Sequence, residues 1–111
     1  MLSLRIMDRI SQLESFIKED PGDPFNHYAL ALEYLKTDPA RAYEQFEWLL
    51  KQHPDYLPTY YPLAHVLIDM RRPERGEEVF KLGIEKARVL KDVKTLRELQ
   101  AAYNDWLFLR E

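Results

Sequence analysis

The stretch LLKQHPDYLPTYYPLAHVLI, residues 49–68, repeats an earlier one. Laid over FIKEDPGDPFNHYALALEYL, residues 16–35, at an offset of 33, it sets Lys51 on Lys18, Pro54 on Pro21, Tyr61 on Tyr28 and Leu63-Ala64 on Leu30-Ala31. Apolar residues also meet at 16/49, 17/50, 34/67 and 35/68. Downstream the offset becomes 34, so that Ala42 meets Gly76, Phe46 meets Phe80 and Leu49 meets Gly83. The one-residue slip falls between Leu35 and Ala42. Self-similarity at such a period marks a repeat architecture, in which each unit buries its apolar face against a neighbour.

The second copy contains Pro54, Pro58 and Pro62, yet Tyr60, Leu63, Ala64 and Leu67 keep a helical rhythm. Proline lacks the donor that a helix interior needs, but it is tolerated in a first turn. Pro54 therefore ends one helix and Pro58 lies in the first turn of the next. Pro62 removes only the first bond of the ladder, to the carbonyl of residue 58. A loosened first turn is expected rather than a break, and the helix then runs to about Arg71.

Outward from this segment, three-and-four apolar spacing predicts five more helices. One covers 3–19, with Ser3 as its cap and Leu4, Ile6, Met7, Ile10, Leu13, Phe16 and Ile17 as its stripe. The turn residues 20–24, DPGDP, end it. A second covers 24–37, and a third opens at Asp38-Pro39 and stops at Pro54, with Asp38 as cap and Pro39 at the first helical position. A fifth runs from Pro73 to about Leu90. Its Gly76 and Gly83, seven apart, suggest close backbone approach to a neighbouring helix, since helical glycine otherwise costs about 1 kcal/mol against alanine. The sixth runs from near Asp92 to Leu109, with Leu96, Leu99, Ala102, Tyr103, Trp106 and Leu107 inward.

With its motif slots assembled, the chain resembles the tetratricopeptide repeat family, a 34-residue helix–turn–helix unit. The first repeat supplies His27, Leu30, Ala31, Tyr34, Ala42, Phe46 and the closing Pro54. The second supplies Tyr60, Leu63, Ala64, Leu67, Gly76, Phe80 and Gly83. It departs from the pattern with Leu49 in a small slot, Leu67 in an aromatic slot and Arg88 where a second closing proline would fall. The resemblance implies an all-α fold, a right-handed superhelix of antiparallel helix pairs with about six helices in one domain. Its parts would be an N-terminal half-repeat helix at 1–21, repeats at 22–54 and 55–91, and a C-terminal capping helix at 92–111. Ala31 and Ala64 are expected at tight contacts between the helices of each repeat.

Composition narrows the function. The chain has 111 residues, 46% hydrophobic and 32% charged, with a net charge of -3; this is a globular composition without a global signal for nucleic acid. Absence of cysteine excludes disulfides and thiolate metal sites. The N-terminal segment carries early charges and no signal-peptide pattern, and no apolar run reaches the roughly 20 residues of a membrane span; a cytoplasmic protein is expected. His27, His53 and His65 form no metal pair with one another; His65 and Asp69 lie one helical turn apart, but two ligands make no site, and the reading is a surface or groove histidine. No phosphate loop, nucleophile elbow or opposed carboxylate pair is present, so neither catalysis nor a cofactor is expected. The basic residues Lys86, Arg88, Lys91, Lys94 and Arg97 could meet a phosphate backbone. Glu85, Asp92 and Glu98 dilute them, and a solvated face is the better reading.

The resemblance also implies a concave groove lined by the first helix of each repeat, receiving a peptide or helix. Carried over, that face is Phe25, Tyr28, Leu32 and Lys36 in the first repeat and Pro58, Tyr61, His65 and Asp69 in the second. It is apolar and aromatic, which suits an amphipathic or hydrophobic ligand. Family members that clamp a chaperone's C-terminal carboxylate use lysines and asparagines there; Tyr28, Leu32 and Tyr61 exclude that use. The expectation is a non-catalytic scaffold binding an unidentified protein or peptide. Two alternatives stay open. The terminal helix or a second copy covers the groove, or the chain forms a homo-oligomer through Trp106, Phe108 and Leu109, because the WLFL run at 106–109 cannot all face inward.

Overall fold

The computed structural model describes residues Leu2–Arg110, with side chains from Arg9 onward. Among them are six helices and no strand: α1 Leu2–Glu19, α2 Pro24–Leu35, α3 Pro39–Gln52, α4 Tyr60–Asp69, α5 Pro73–Val89 and α6 Val93–Arg110. A single 3-10 turn, Leu57–Thr59, precedes α4. The chain forms two compact units, residues 1–53 and 54–111. The division falls at Pro54, where the sequence closes its first repeat. Since α1 already includes Ser3, the expected cap there is not the boundary; the side chains of Ser3, Leu4, Ile6 and Met7 lie outside the described ones.

In the first unit α2 packs against both α1 and α3. Asp23 caps α2 by accepting from the Phe25 amide at 3.0 Å, with Pro24 at the first helical position. Asp38 and Pro39 do the same for α3, Asp38 accepting from the Arg41 amide. Leu13, Leu30, Ala31, Ala42, Phe46 and Leu49 are buried. Ala31 is fully buried, and its enlargement to leucine is expected to overpack the site and cost about 1–3 kcal/mol, read as a lower denaturant midpoint.

In the second unit α5 packs against α4 and α6. A Cβ on Gly76 would sit 3.0 Å from Ile68 and 3.4 Å from the Ala64 carbonyl, while one on Gly83 would meet Tyr60 and Leu99. Along α5 the partners on α4 therefore run backward, from Ile68 to Tyr60. The same holds on the other side, where Gly83 meets Leu99 while Phe80 and Glu77 meet Tyr103. Both neighbours are antiparallel to α5, so α4 and α6 run in the same direction. Tyr60, Leu63, Ala64, Leu67, Val79, Phe80, Ala87 and Leu99 form the buried set.

The prolines act as their positions require. The turn around Pro58 is 3-10, and the regular α-helix starts only at Tyr60. Loss of the Pro62 donor is thus absorbed in a tightened first turn. Thr59 is fully buried there with its hydroxyl unpartnered.

Helix ends explain the slip between the repeats. After α4, Arg71 takes a φ of 60°, its amide bonds the Ile68 carbonyl at 3.0 Å and the Arg72 amide bonds Leu67 at 2.8 Å. After α5, Lys91 has the same φ, with amide bonds from Lys91 to Arg88 at 3.1 Å and from Asp92 to Ala87 at 3.0 Å. Both are Schellman turns, which normally place glycine at the left-handed residue. By contrast α2 ends at Leu35, short of the expected residue 37, with Lys36 right-handed and the Thr37 and Asp38 amides both turned to the Tyr34 carbonyl. Leu35 corresponds to Ile68, so α4 carries one residue more. A left-handed non-glycine costs about 1–2 kcal/mol, partly offset by the extra backbone freedom of glycine when unfolded. Arg71→Gly and Lys91→Gly are each expected to stabilise the chain by about 0.5–1 kcal/mol. Denaturant midpoints check this; unchanged values in both variants would reject the turn assignment.

Candidate functional site

The first helix of each repeat is anchored by one recurring polar contact. His27 Nε2 donates to the Pro21 carbonyl at 3.0 Å, and the Tyr60 hydroxyl donates to the Pro54 carbonyl at 2.5 Å. The donors and the acceptors are each 33 apart. A carbonyl can only accept, so neutral His27 carries its proton on Nε2 and accepts from Gln45 Nε2 through Nδ1, at 3.0 Å. His27 also lies against Trp48, ring centroids 4.3 Å apart. It is buried. These anchors fix which side of α2 and of α4 faces inward.

Burial, and secondarily the negative charge of Asp55, push the Tyr60 phenol up to about 12. The folded chain thus favours the protonated phenol. This contribution is intact below the ordinary tyrosine value near 10 and is lost as pH rises through about 12. Alkaline titration across that window is expected to remove about 2–3 kcal/mol. Tyr60→Phe should flatten that part of the stability–pH curve; equal slopes for the two chains would refute the assignment.

On α2, Phe25 is 58% exposed and Leu32 lies at the surface. Tyr28 is only half open, because its ring packs on Phe46 at 6.2 Å, and burial raises its phenol above the usual value. Lys36 pairs with Glu33 at 3.0 Å. Pro58 in the 3-10 turn and His65 and Asp69 on α4 are exposed, and Tyr61 is 47% exposed. The Tyr61 and His65 rings lie 4.4 Å apart, and His65 leans edge-on toward Phe80 at 5.9 Å. In the first unit the residues assigned from sequence lie on α2 and at its C-cap; in the second they lie on α4 and on the 3-10 turn before it.

The same direction of α4 and α6 leaves a concave strip between them. Tyr61 stands on one side and Glu98, Ala101, Ala102 and Asp105 on the other, enclosing about 450 Å³. Helix α6 is therefore a wall beside Tyr61. Its inner stripe follows the sequence pattern: Leu99 is buried, and Leu96, Ala102, Tyr103, Trp106 and Leu107 are half-buried. Trp106 and Tyr103 pack on Phe80 at 6.2 and 5.6 Å, and the Arg110 guanidinium lies 4.7 Å above Trp106. Burial and a hydrogen bond donated to Glu77 at 3.1 Å raise the Tyr103 phenol. Of the WLFL run, Phe108 and Leu109 are the outward pair, 77% and 81% exposed. Sequence reasoning missed Glu98, Ala101 and Asp105. Their signal was an alanine pair flanked by acids at three- and four-residue spacing on an otherwise bulky helix.

Two residues of the basic cluster are engaged by carboxylates, Lys86 with Asp55 and Arg88 with Glu85, both at 2.8 Å. Lys91 occupies the left-handed turn. Among the described residues, no group of three or more histidine and carboxylate side chains is placed to hold a metal ion, and no helix is long and apolar enough to cross a membrane.

No protein-family model matches the chain, and no curated protein does. Solved structures do. The solution structure of a tetratricopeptide repeat domain protein from Salinibacter ruber is 42% identical, covering 78% of this chain and 88% of that one, with a TM-score of 0.73. The crystal structure of a tetratricopeptide repeat domain protein from Salinibacter ruber is also 42% identical, covering 75% and 93%, with a TM-score of 0.71. Repeat period, motif slots, helix pairing and this likeness define an all-α helical repeat protein. The chain belongs to the tetratricopeptide repeat family, whose fold serves in general as a scaffold for protein–protein interaction.

Proposed function

We propose that the chain is a non-catalytic scaffold that binds a peptide or helix of another protein on the outward face of α4. The observation that carries this reading is Tyr61. A large ring, half exposed, stands in an open cleft of about 450 Å³ whose far wall carries small alanines. Aromatic side chains at such positions supply contact area at low entropic cost and keep a wet hydroxyl. In the first unit, Phe25 and Leu32 of α2 are likewise exposed apolar side chains. Partner capture from a native extract tests the reading. Tyr61→Ala should lose the captured protein while keeping the melting temperature nearly unchanged. A variant that keeps every partner would remove the role of this face.

A second reading is self-association through the end of α6, favoured by the near-complete exposure of Phe108 and Leu109. Light scattering of the chain against Phe108→Ser with Leu109→Ser decides it. A mass that falls to the monomer in the variant supports the second reading, and an unchanged mass rejects it.

A further inference from the structure

We propose that the cleft between α4 and α6 takes a cationic amphipathic helix, and that Phe108 and Leu109 belong to this docking surface. The proposal rests on the reading that the α4 face binds a protein partner, and it names the partner's chemistry. Three observations carry it. Because α4 and α6 run in the same direction, the stripe Tyr61, His65, Asp69 runs alongside α6 toward its C-terminal end. On α6, Glu98, Ala102, Asp105 and Leu109 follow four-, three- and four-residue steps, so they share one face, and Phe108 borders it. The cleft wall thus continues into two exposed apolar side chains one turn beyond Asp105.

The carboxylates along this strip differ from the others of the unit. Asp55 pairs with Lys86, Glu78 with Arg75, Glu85 with Arg88, and Glu77 with Lys81 and Tyr103, while Asp92 caps α6 through the Thr95 amide. Asp69, Glu98 and Asp105 have no hydrogen bond or ion pair among the described residues. Glu74 is the other such acid, and it sits in the first turn of α5, where the helix dipole favours it. Of the cations of α6, Lys94 and Arg97 lie before Glu98, and Arg110, in the last turn, is drawn over the Trp106 ring at 4.7 Å, so the cleft-lining turns between them carry only the acids Glu98 and Asp105. An aromatic ring and two exposed apolar residues beside unpaired acids complement a helix with an apolar stripe flanked by lysine or arginine.

The test uses the full chain and two synthetic helical peptides with the same leucines at helical spacing, one carrying lysines and the other glutamates on the flanks. The lysine peptide should bind, more weakly as salt rises, and the glutamate peptide should not. Glu98→Lys with Asp105→Lys should weaken binding by about tenfold or more, since two attractive charge pairs are replaced by repulsion. Glu78→Lys with Glu85→Lys, equal in net charge but on exposed positions of α5 outside the cleft lining, should leave it nearly unchanged. Equal binding of both peptides, equal loss in both double variants, or no binding of the lysine peptide would overturn the proposal. A dimer of the chain alone that the Glu98/Asp105 reversal dissolves would also overturn it, and would assign the cleft to a second copy. If Tyr61→Ala releases the captured partner while the charge reversal does not, the scaffold reading stands and the cationic partner falls. If neither releases it, both fall.

Discussion

Phe80→Ala is expected to destabilise the second unit by about 3–5 kcal/mol. The ring is fully buried and is the one side chain of α5 seen in ring contact with both neighbours. It faces His65 of α4 at 5.9 Å and Tyr103 and Trp106 of α6 at 5.6 and 6.2 Å. Removing it opens a cavity bounded by three aromatic groups that cannot collapse together, because each is carried by a different turn or helix. The loss is comparable to a large part of the stability of a small protein, about 5–15 kcal/mol. Since Tyr103 and Trp106 are the main large residues seating α6, the variant should also lose the cleft wall. Near-ultraviolet circular dichroism should fall before far-ultraviolet signal as denaturant rises. Phe80→Leu, which refills most of the volume, should cost less than half as much. A loss under about 1 kcal/mol for the alanine variant would show that α6 is seated by other contacts.

Much of this architecture was legible because the repeat is written in side chains that local physics reads directly. Pro24, Pro39 and Pro73 stand at first helical positions, and the aspartates before the first two cap α2 and α3. The arrest of α3 before Pro54 and the continuation of α5 past Arg88 follow from whether a proline is present. The anchors His27 and Tyr60 were placed in their motif slots, but their hydrogen bonds were not foreseen, since their acceptors are backbone carbonyls, which have no signature in sequence. The left-handed residues Arg71 and Lys91 were hidden for a related reason. Glycine would have announced them, and lysine and arginine do not. On the candidate site, the outward stripe of α4 could be read from the register alone. The wall on α6 could not, because it depends on α6 returning in the direction of α4. Once α5 is known to be antiparallel to both, Glu98, Ala101 and Asp105 follow.

Gly83→Ala is expected to destabilise the chain by about 2 kcal/mol, against the roughly 1 kcal/mol gain that alanine brings to an unhindered helix interior. A Cβ at this position would lie 2.7 Å from Tyr60 Cβ, 2.8 Å from Tyr60 Cγ and 3.0 Å from Leu99 Cδ1. None of these atoms is the far end of a loose side chain. Tyr60 is 2% exposed and tied by its hydroxyl to the Pro54 carbonyl, and Leu99 is 1% exposed. Relief therefore requires α5 to move away from α4, from α6 or from both. Gly76→Ala is the control. Its new carbon would meet Ile68 Cγ1 at 3.0 Å and the Ala64 carbonyl at 3.4 Å. Ile68 is only half-buried and can turn its side chain outward, so crowding and the alanine gain should offset to within about 0.5 kcal/mol. The two glycines stand seven apart on one helix, so propensity alone predicts the same stabilisation for both. Denaturant midpoints that fall sharply for Gly83→Ala and hardly move for Gly76→Ala place the closest backbone approach at Tyr60, the anchor of the second repeat. Equal gains in both variants would mean that α5 has room on both sides and that the glycines are not there for packing.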